Sequence, residues 1–179
     1  MRRWAGVAAT LVVMTVTVLG GFVFAGAVPR EIEAPVVVGG SVRVFPLSGW
    51  TPSAEGAVGD LTGVRISRGT AALDVLTRLT DLGSEAVLVR YVERFLRPES
   101  RSLSVSREVR EVPVAGGLTG LRESYLGTFG DRMAEVEGEL TVVVSPSGVA
   151  VVFDAWAPSG RFGYAVADTR EMVRTAEIA

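Results

Sequence analysis

The chain has 179 residues, 48% of them hydrophobic and 21% charged, which suits one folded domain with a short appendage and enough apolar mass for a core. It has no Cys and no His, and all 18 basic residues are Arg, which removes disulfides, thiolates, a lipid-attachment cysteine, imidazole chemistry and lysine Schiff bases. Beyond Arg2 and Arg3, 16 Arg stand against 20 acidic residues, and that net −4 is the wrong sign for a nucleic-acid partner, whose phosphates need clustered positive charge.

From Trp4 to Val28 there is no charged residue and no proline. That stretch exceeds the ~20 apolar residues that span a bilayer core as a helix, so residues 1–28 are expected to be an N-terminal transmembrane anchor. Arg2 and Arg3 lie before it, whereas Arg30, Glu31 and Glu33 follow, and the positive flank places the N-terminus in the cytoplasm with the rest outside. Ala25-Gly26-Ala27 also has the small-x-small form of a signal-peptide cleavage site, and cleavage after Ala27 would release the domain. The apolar stretch is longer than the ~7–15 residues of a signal-peptide core, which favours the uncleaved anchor.

Residues 29–41, with Pro29, Pro35 and Gly39-Gly40, read as a tether, and residues 42–179 as the folded extracytoplasmic domain. Ser41–Phe45 alternates as a strand. Thr62–Ser67 and Ala71–Thr77 read as a hairpin turning at Arg68-Gly69, although Leu73, Leu76 and Leu79 also fit a helix. Leu88, Tyr91, Val92, Phe95 and Leu96 fall on one face of a helix, which Ser84 can cap and Pro98 should end. Strands are expected around Leu103–Val114 and at Leu121–Phe129 and Glu135–Ser145. In the last of these Val136, Leu140, Val142 and Val144 face one way and Glu135, Glu137, Glu139 and Thr141 the other. Val149–Trp156 is apolar on both sides and belongs in the middle of a sheet. Phe162, Ala165, Val166, Thr169, Met172, Val173 and Ala176 mark a C-terminal amphipathic helix. The fold class is therefore α+β, an antiparallel sheet packed by helices.

Short motifs in this order resemble a known fold group. Val114-Ala115-Gly116-Gly117, Arg122-Glu123-Ser124-Tyr125, Glu137-Gly138-Glu139 and Phe153-Asp154-Ala155-Trp156-Ala157-Pro158 resemble the PsbP-like group, including actinobacterial LpqN-type envelope proteins. Gly49-Trp50, with Pro46 three residues before Gly49, looks like the entry motif of those domains. The resemblance covers about residues 42–178. It implies an α-β-α sandwich acting as a non-enzymatic binding or assembly module, and it brings no catalytic residue. LpqN-type proteins are often lipoproteins, and this chain has no cysteine to carry a lipid.

Acids are the remaining catalytic candidates. Glu135, Glu137 and Glu139 alternate along a strand at roughly 7 Å intervals, unlike a calcium loop, and suit a solvated face paired with Arg122 or Arg132. Glu123 and Asp154 interrupt apolar strands, and with Glu137 they are the credible acid/base carboxylates of a glycan hydrolase. Serines lack a nucleophile elbow, and Gly39-Gly40 and Gly116-Gly117 lack the context of a phosphate loop. No catalytic residue, metal or cofactor is therefore expected. The expected function is a membrane-tethered module engaging another envelope protein, with Trp50, Tyr125 and Trp156 as contact aromatics. A carboxylate-dependent cell-wall hydrolase and a small-ligand or lipid carrier are the alternatives.

Overall fold

The computed structural model describes residues 34–130 and 135–179. The expected membrane helix at residues 4–28 and Arg132 lie outside the described residues. Among the described residues no helix is long and apolar enough to cross a membrane.

The centre is a nine-stranded, wholly antiparallel sheet. Its strands are β3 (Thr51–Pro52), β4 (Gly56–Val58), β5 (Leu61–Arg68), β6 (Ala71–Leu79), β7 (Ser100–Val105), β8 (Arg110–Val114), β9 (Leu118–Phe129), β10 (Glu135–Val144) and β11 (Val149–Pro158). The order across it is β3-β5-β6-β11-β10-β9-β7, with β4 also on β5 and β8 also on β9. The central position of β11 follows from its sequence, since a strand apolar on both sides must be covered on both. β5 and β6 form the expected hairpin, Arg68 pairing with Ala71, so Leu73, Leu76 and Leu79 belong to a strand. Pairing with β5 and β11 outweighs the helical spacing of those leucines. The single strand expected over Leu103–Val114 is two strands, β7 and β8, both paired to β9.

One face of the sheet is covered by α1 (Ser84–Tyr91), which continues without a break as a π-turn at Val92–Leu96 and a last α-turn at Arg97–Glu99. Gly83, not Ser84, is the N-cap residue, and no side chain caps the first turn. Pro98 lies in the final short turn, and the helix runs one residue past it, to Glu99. Leu88, Tyr91, Val92 and Leu96 are buried as their spacing requires, whereas Phe95 is half-buried.

The other face carries α2 (Val166–Thr175) and a small sheet of β1 (Val36–Val38), β2 (Val42–Val44) and β12 (Glu177–Ile178). β1 lies in the segment read as a tether, and Val38 is fully buried, so ordered structure begins before residue 42. Trp50, Leu73, Val75, Val151, Phe153 and Met172 form this second core.

Candidate functional site

The period of two along each strand sorts the side chains between the two faces. On the α1 face the register aligns Arg65, Asp74, Asp154, Leu140 and Glu123 in one row across β5, β6, β11, β10 and β9. The next row is Ser67, Ala72, Trp156, Gly138 and Tyr125. Gly138 is small for a physical reason. A Cβ there would overlap the Tyr125 ring, which crosses the strand towards Asp154.

These rows form one wall of a cavity of about 700 Å³ between the sheet and α1. Tyr91 and Phe95 line it from the helix, Tyr125, Phe129 and Trp156 from the sheet, and Ser53, Ala54, Gly56 and Ala57 from the rim near β4. Tyr91 stacks on Phe95 at 5.3 Å between ring centroids, and Tyr125 meets Phe129 edge-on at 6.0 Å. Gly59, at the tip of the β4–β5 hairpin, has φ of 62° and would press a Cβ onto the Phe95 ring at 3.3 Å. The hairpin and the π-turn therefore meet at the mouth. A π-turn places an extra residue in the helical ladder, and here its Arg94, Phe95 and Leu96 all line the cavity.

Asp154 is buried in the cavity wall. Its Oδ2 accepts a hydrogen bond from the Tyr91 hydroxyl at 3.0 Å and its Oδ1 one from the Tyr125 hydroxyl at 2.7 Å. Asp74, beside it on β6, takes both arms of Arg65 at 2.6 and 2.8 Å and the Trp156 indole N–H at 3.0 Å. The Arg65 guanidinium also lies over the Trp156 ring, 5.2 Å from its centroid. Burial, then the negative charge of Asp74, push Asp154 up to about 7, against the two hydroxyls and Arg65, which favour its ionised form. Burial first, and Asp154 next, hold both tyrosine hydroxyls well above the usual phenol range.

Of the aromatics expected to make contacts, Tyr125 and Trp156 line the cavity and Trp50 does not. Trp50 is fully buried under the opposite face, where its indole N–H donates to Asp168 at 3.2 Å beneath Arg68. It is a core strut: a large ring with one polar atom lowers its energy by burying the ring and satisfying the N–H. The three candidate acids do not converge. Glu137 points to the opposite face, where its carboxylate accepts from the Ser159 hydroxyl and the Gly160 N–H. Glu123 shares a face with Asp154 but stands two strands away, with Leu140 between, and burial raises it. Of the glutamates on β10, Glu135 is exposed and Glu137 half-buried, and the expected pairing with Arg122 is present, but Glu139 is not solvated. Glu139 is buried and gripped by Arg170 of α2, with Arg122 at 3.8 Å, because α2 covers that side of the strand.

The carboxylate beside Asp154 is Asp74, which was not among the candidate acids because the spacing of Leu73, Leu76 and Leu79 around it also fits a helix. Once Ala71–Leu79 is a strand paired with β11, register alone brings Asp74 opposite Asp154. Among the described residues no group of three or more acids is placed to hold a metal ion.

No family model matches the sequence, and no curated protein matches it. Solved structures do. The chain is similar to CyanoP, the PsbP protein of the cyanobacterium Synechocystis, with a TM-score of 0.60 and 12% identity over 86% of this chain and 96% of that one. It is similar to Mog1p, a Ran-binding protein of Saccharomyces cerevisiae, with a TM-score of 0.52 and 13% identity over 83% and 96% of the two chains. LpqN, involved in cell envelope biogenesis of Mycobacterium tuberculosis, matches with a TM-score of 0.52 and 12% identity over 84% and 87%. Identities this low establish the fold alone. The fold is PsbP-like, and the resemblance carried by the motifs holds at that level.

Proposed function

We propose that the chain is a non-catalytic binding module, held at a membrane by residues 4–28 with its folded part outside the cytoplasm, which takes a ligand into the cavity between the sheet and α1. The observation that carries this reading is the cavity itself, about 700 Å³ in volume and lined by five aromatic side chains. Its size is within the ~300–1,000 Å³ of ordinary ligand sites, and an apolar lining with a few fixed polar groups is their usual chemistry. The polar groups beneath it are already engaged. Arg65 and Trp156 hold Asp74, and two tyrosines hold Asp154. Side chains anchored in this way form a rigid binding floor.

The test is recovery of the bound molecule. Full-length protein extracted from native membranes should carry a small molecule detectable by mass spectrometry, and Ala57→Trp, which sets an indole at the mouth, should carry much less. Equal recovery from both proteins would refute the cavity as the site. Turnover of cell-wall glycan that is lost in Asp154→Asn would support a hydrolase instead. The orientation is checked separately: a reporter fused after Ala179 should be active outside the cytoplasm, and a mature chain beginning at Val28 would replace the anchor with a cleaved signal.

Engagement of another envelope protein is a second reading, supported by Val89. It is 57% exposed on the outer side of α1, in a shallow groove with Glu85, Ala86, Arg90, Glu93 and Arg94. Crosslinking from a photoreactive residue at Val89 in native membranes tests it.

A further inference from the structure

We infer that the ligand is an amine, an ammonium group on an aromatic or apolar body, with the ammonium seated against Asp154 between Tyr91 and Tyr125. This rests on the cavity being the binding site. Charge pairing differs between the two faces of the sheet. The buried acids of the opposite face are neutralised by guanidinium groups: Asp168 lies 2.6 Å from Arg68, and Glu139 is held by Arg170 and Arg122. Asp154 is as buried as either, yet both its hydrogen bonds come from neutral hydroxyls. Arg65 is committed to Asp74 through two hydrogen bonds, so that pair is neutral as a unit. One unit of negative charge is thus left at the cavity wall when Asp154 ionises.

Asp154 also has spare acceptor capacity. A carboxylate oxygen accepts two hydrogen bonds, and each oxygen of Asp154 is given one, so acceptor sites remain for an ammonium N–H. Tyr91, Tyr125, Phe95, Phe129 and Trp156 line the same cavity, and aromatic rings attract a cation through their quadrupoles. The charged groups near Asp154 are Arg65 on β5, Asp74 on β6 and Glu123 on β9, with the hydroxyls of Tyr91 on α1 and Tyr125 on β9; Arg94 and Glu99 line the cavity from the helix. β10 contributes Val136 to the lining and no charge.

Three probes with one indole body separate the possibilities. Tryptamine, tryptophol and indole-3-acetate are titrated calorimetrically into full-length protein in zwitterionic nanodiscs, with empty nanodiscs as blank. At pH 8, tryptamine should bind at least tenfold tighter than tryptophol, and indole-3-acetate weakest. At pH 5, where Asp154 is protonated, that preference should shrink severalfold. Asp154→Asn should abolish the preference while leaving tryptophol binding. Tyr125→Phe removes one donor to the carboxylate, so the pH at which the preference is lost should move upward, a readout that survives if the amide variant folds poorly. Tryptophol binding as tightly as tryptamine would overturn the amine and leave the cavity reading standing. No binding of any probe would overturn both.

Discussion

The two faces of the large sheet are built from the same strands and solve different problems. Beneath α2 and the small sheet, Trp50, Phe153, Leu73 and Met172 are sealed at 2% exposure or less, and each buried acid has an arginine partner. Beneath α1 the packing stops short. A cavity remains, and its buried acid faces hydroxyls and a second carboxylate. Where stability is the only demand, a buried charge is paired or removed, because an unpaired one costs several kcal/mol by the usual order of magnitude. A face that keeps both a void and a buried acid held only by neutral hydroxyls is where binding is to be sought.

The largest loss of stability is expected from damage to the sealed face. Phe153→Ala should destabilise the fold by roughly 3–5 kcal/mol in urea unfolding without changing probe affinity at temperatures where the protein stays folded. If it altered binding as strongly, the faces would not be separable.

The next effect belongs to Asp154. Its folded-state value of about 7 lies above the ordinary 3.8, so the native state binds more protons than the unfolded chain between those values. The sign follows: this group's stabilising contribution is fully present below about pH 4 and is lost as pH rises to about 7, by at most about 4 kcal/mol. Denaturant midpoints measured from pH 5 to pH 8 should therefore carry a falling component that Asp154→Asn removes. An unchanged pH slope in the variant would show that Asp154 titrates normally.

Gly138→Val should cost roughly 1–3 kcal/mol, because the added side chain must displace the Tyr125 ring, and it should weaken probe binding as well. Phe95→Ala is expected to cost only about 1–2 kcal/mol, since the ring is incompletely buried at the cavity mouth. Arg94→Ala, at an exposed side chain on the cavity rim in the same π-turn, should cost under about 0.5 kcal/mol. Equal losses for Phe95 and Arg94 would mean that the helix presents a different face to the sheet.

Much of the framework is legible in the residues. Polar–apolar alternation over Glu135–Val142, apolarity on both sides of Val149–Trp156 and the helical spacing of Leu88, Tyr91, Val92 and Leu96 each specify an element. The scattered motifs point to the fold that the solved structures share. Local pattern also marks Asp154 as unusual, because a charge inside an apolar strand must be explained. Partners are another matter. That Asp74 stands beside Asp154, that Tyr91 and Tyr125 reach it from a helix and a strand 34 positions apart in the chain, and that Trp50 faces the opposite core are consequences of register and layer order. Periodicity says which side of its own strand a residue occupies but not what lies across from it, and a site made from five elements exists only once those pairings are set.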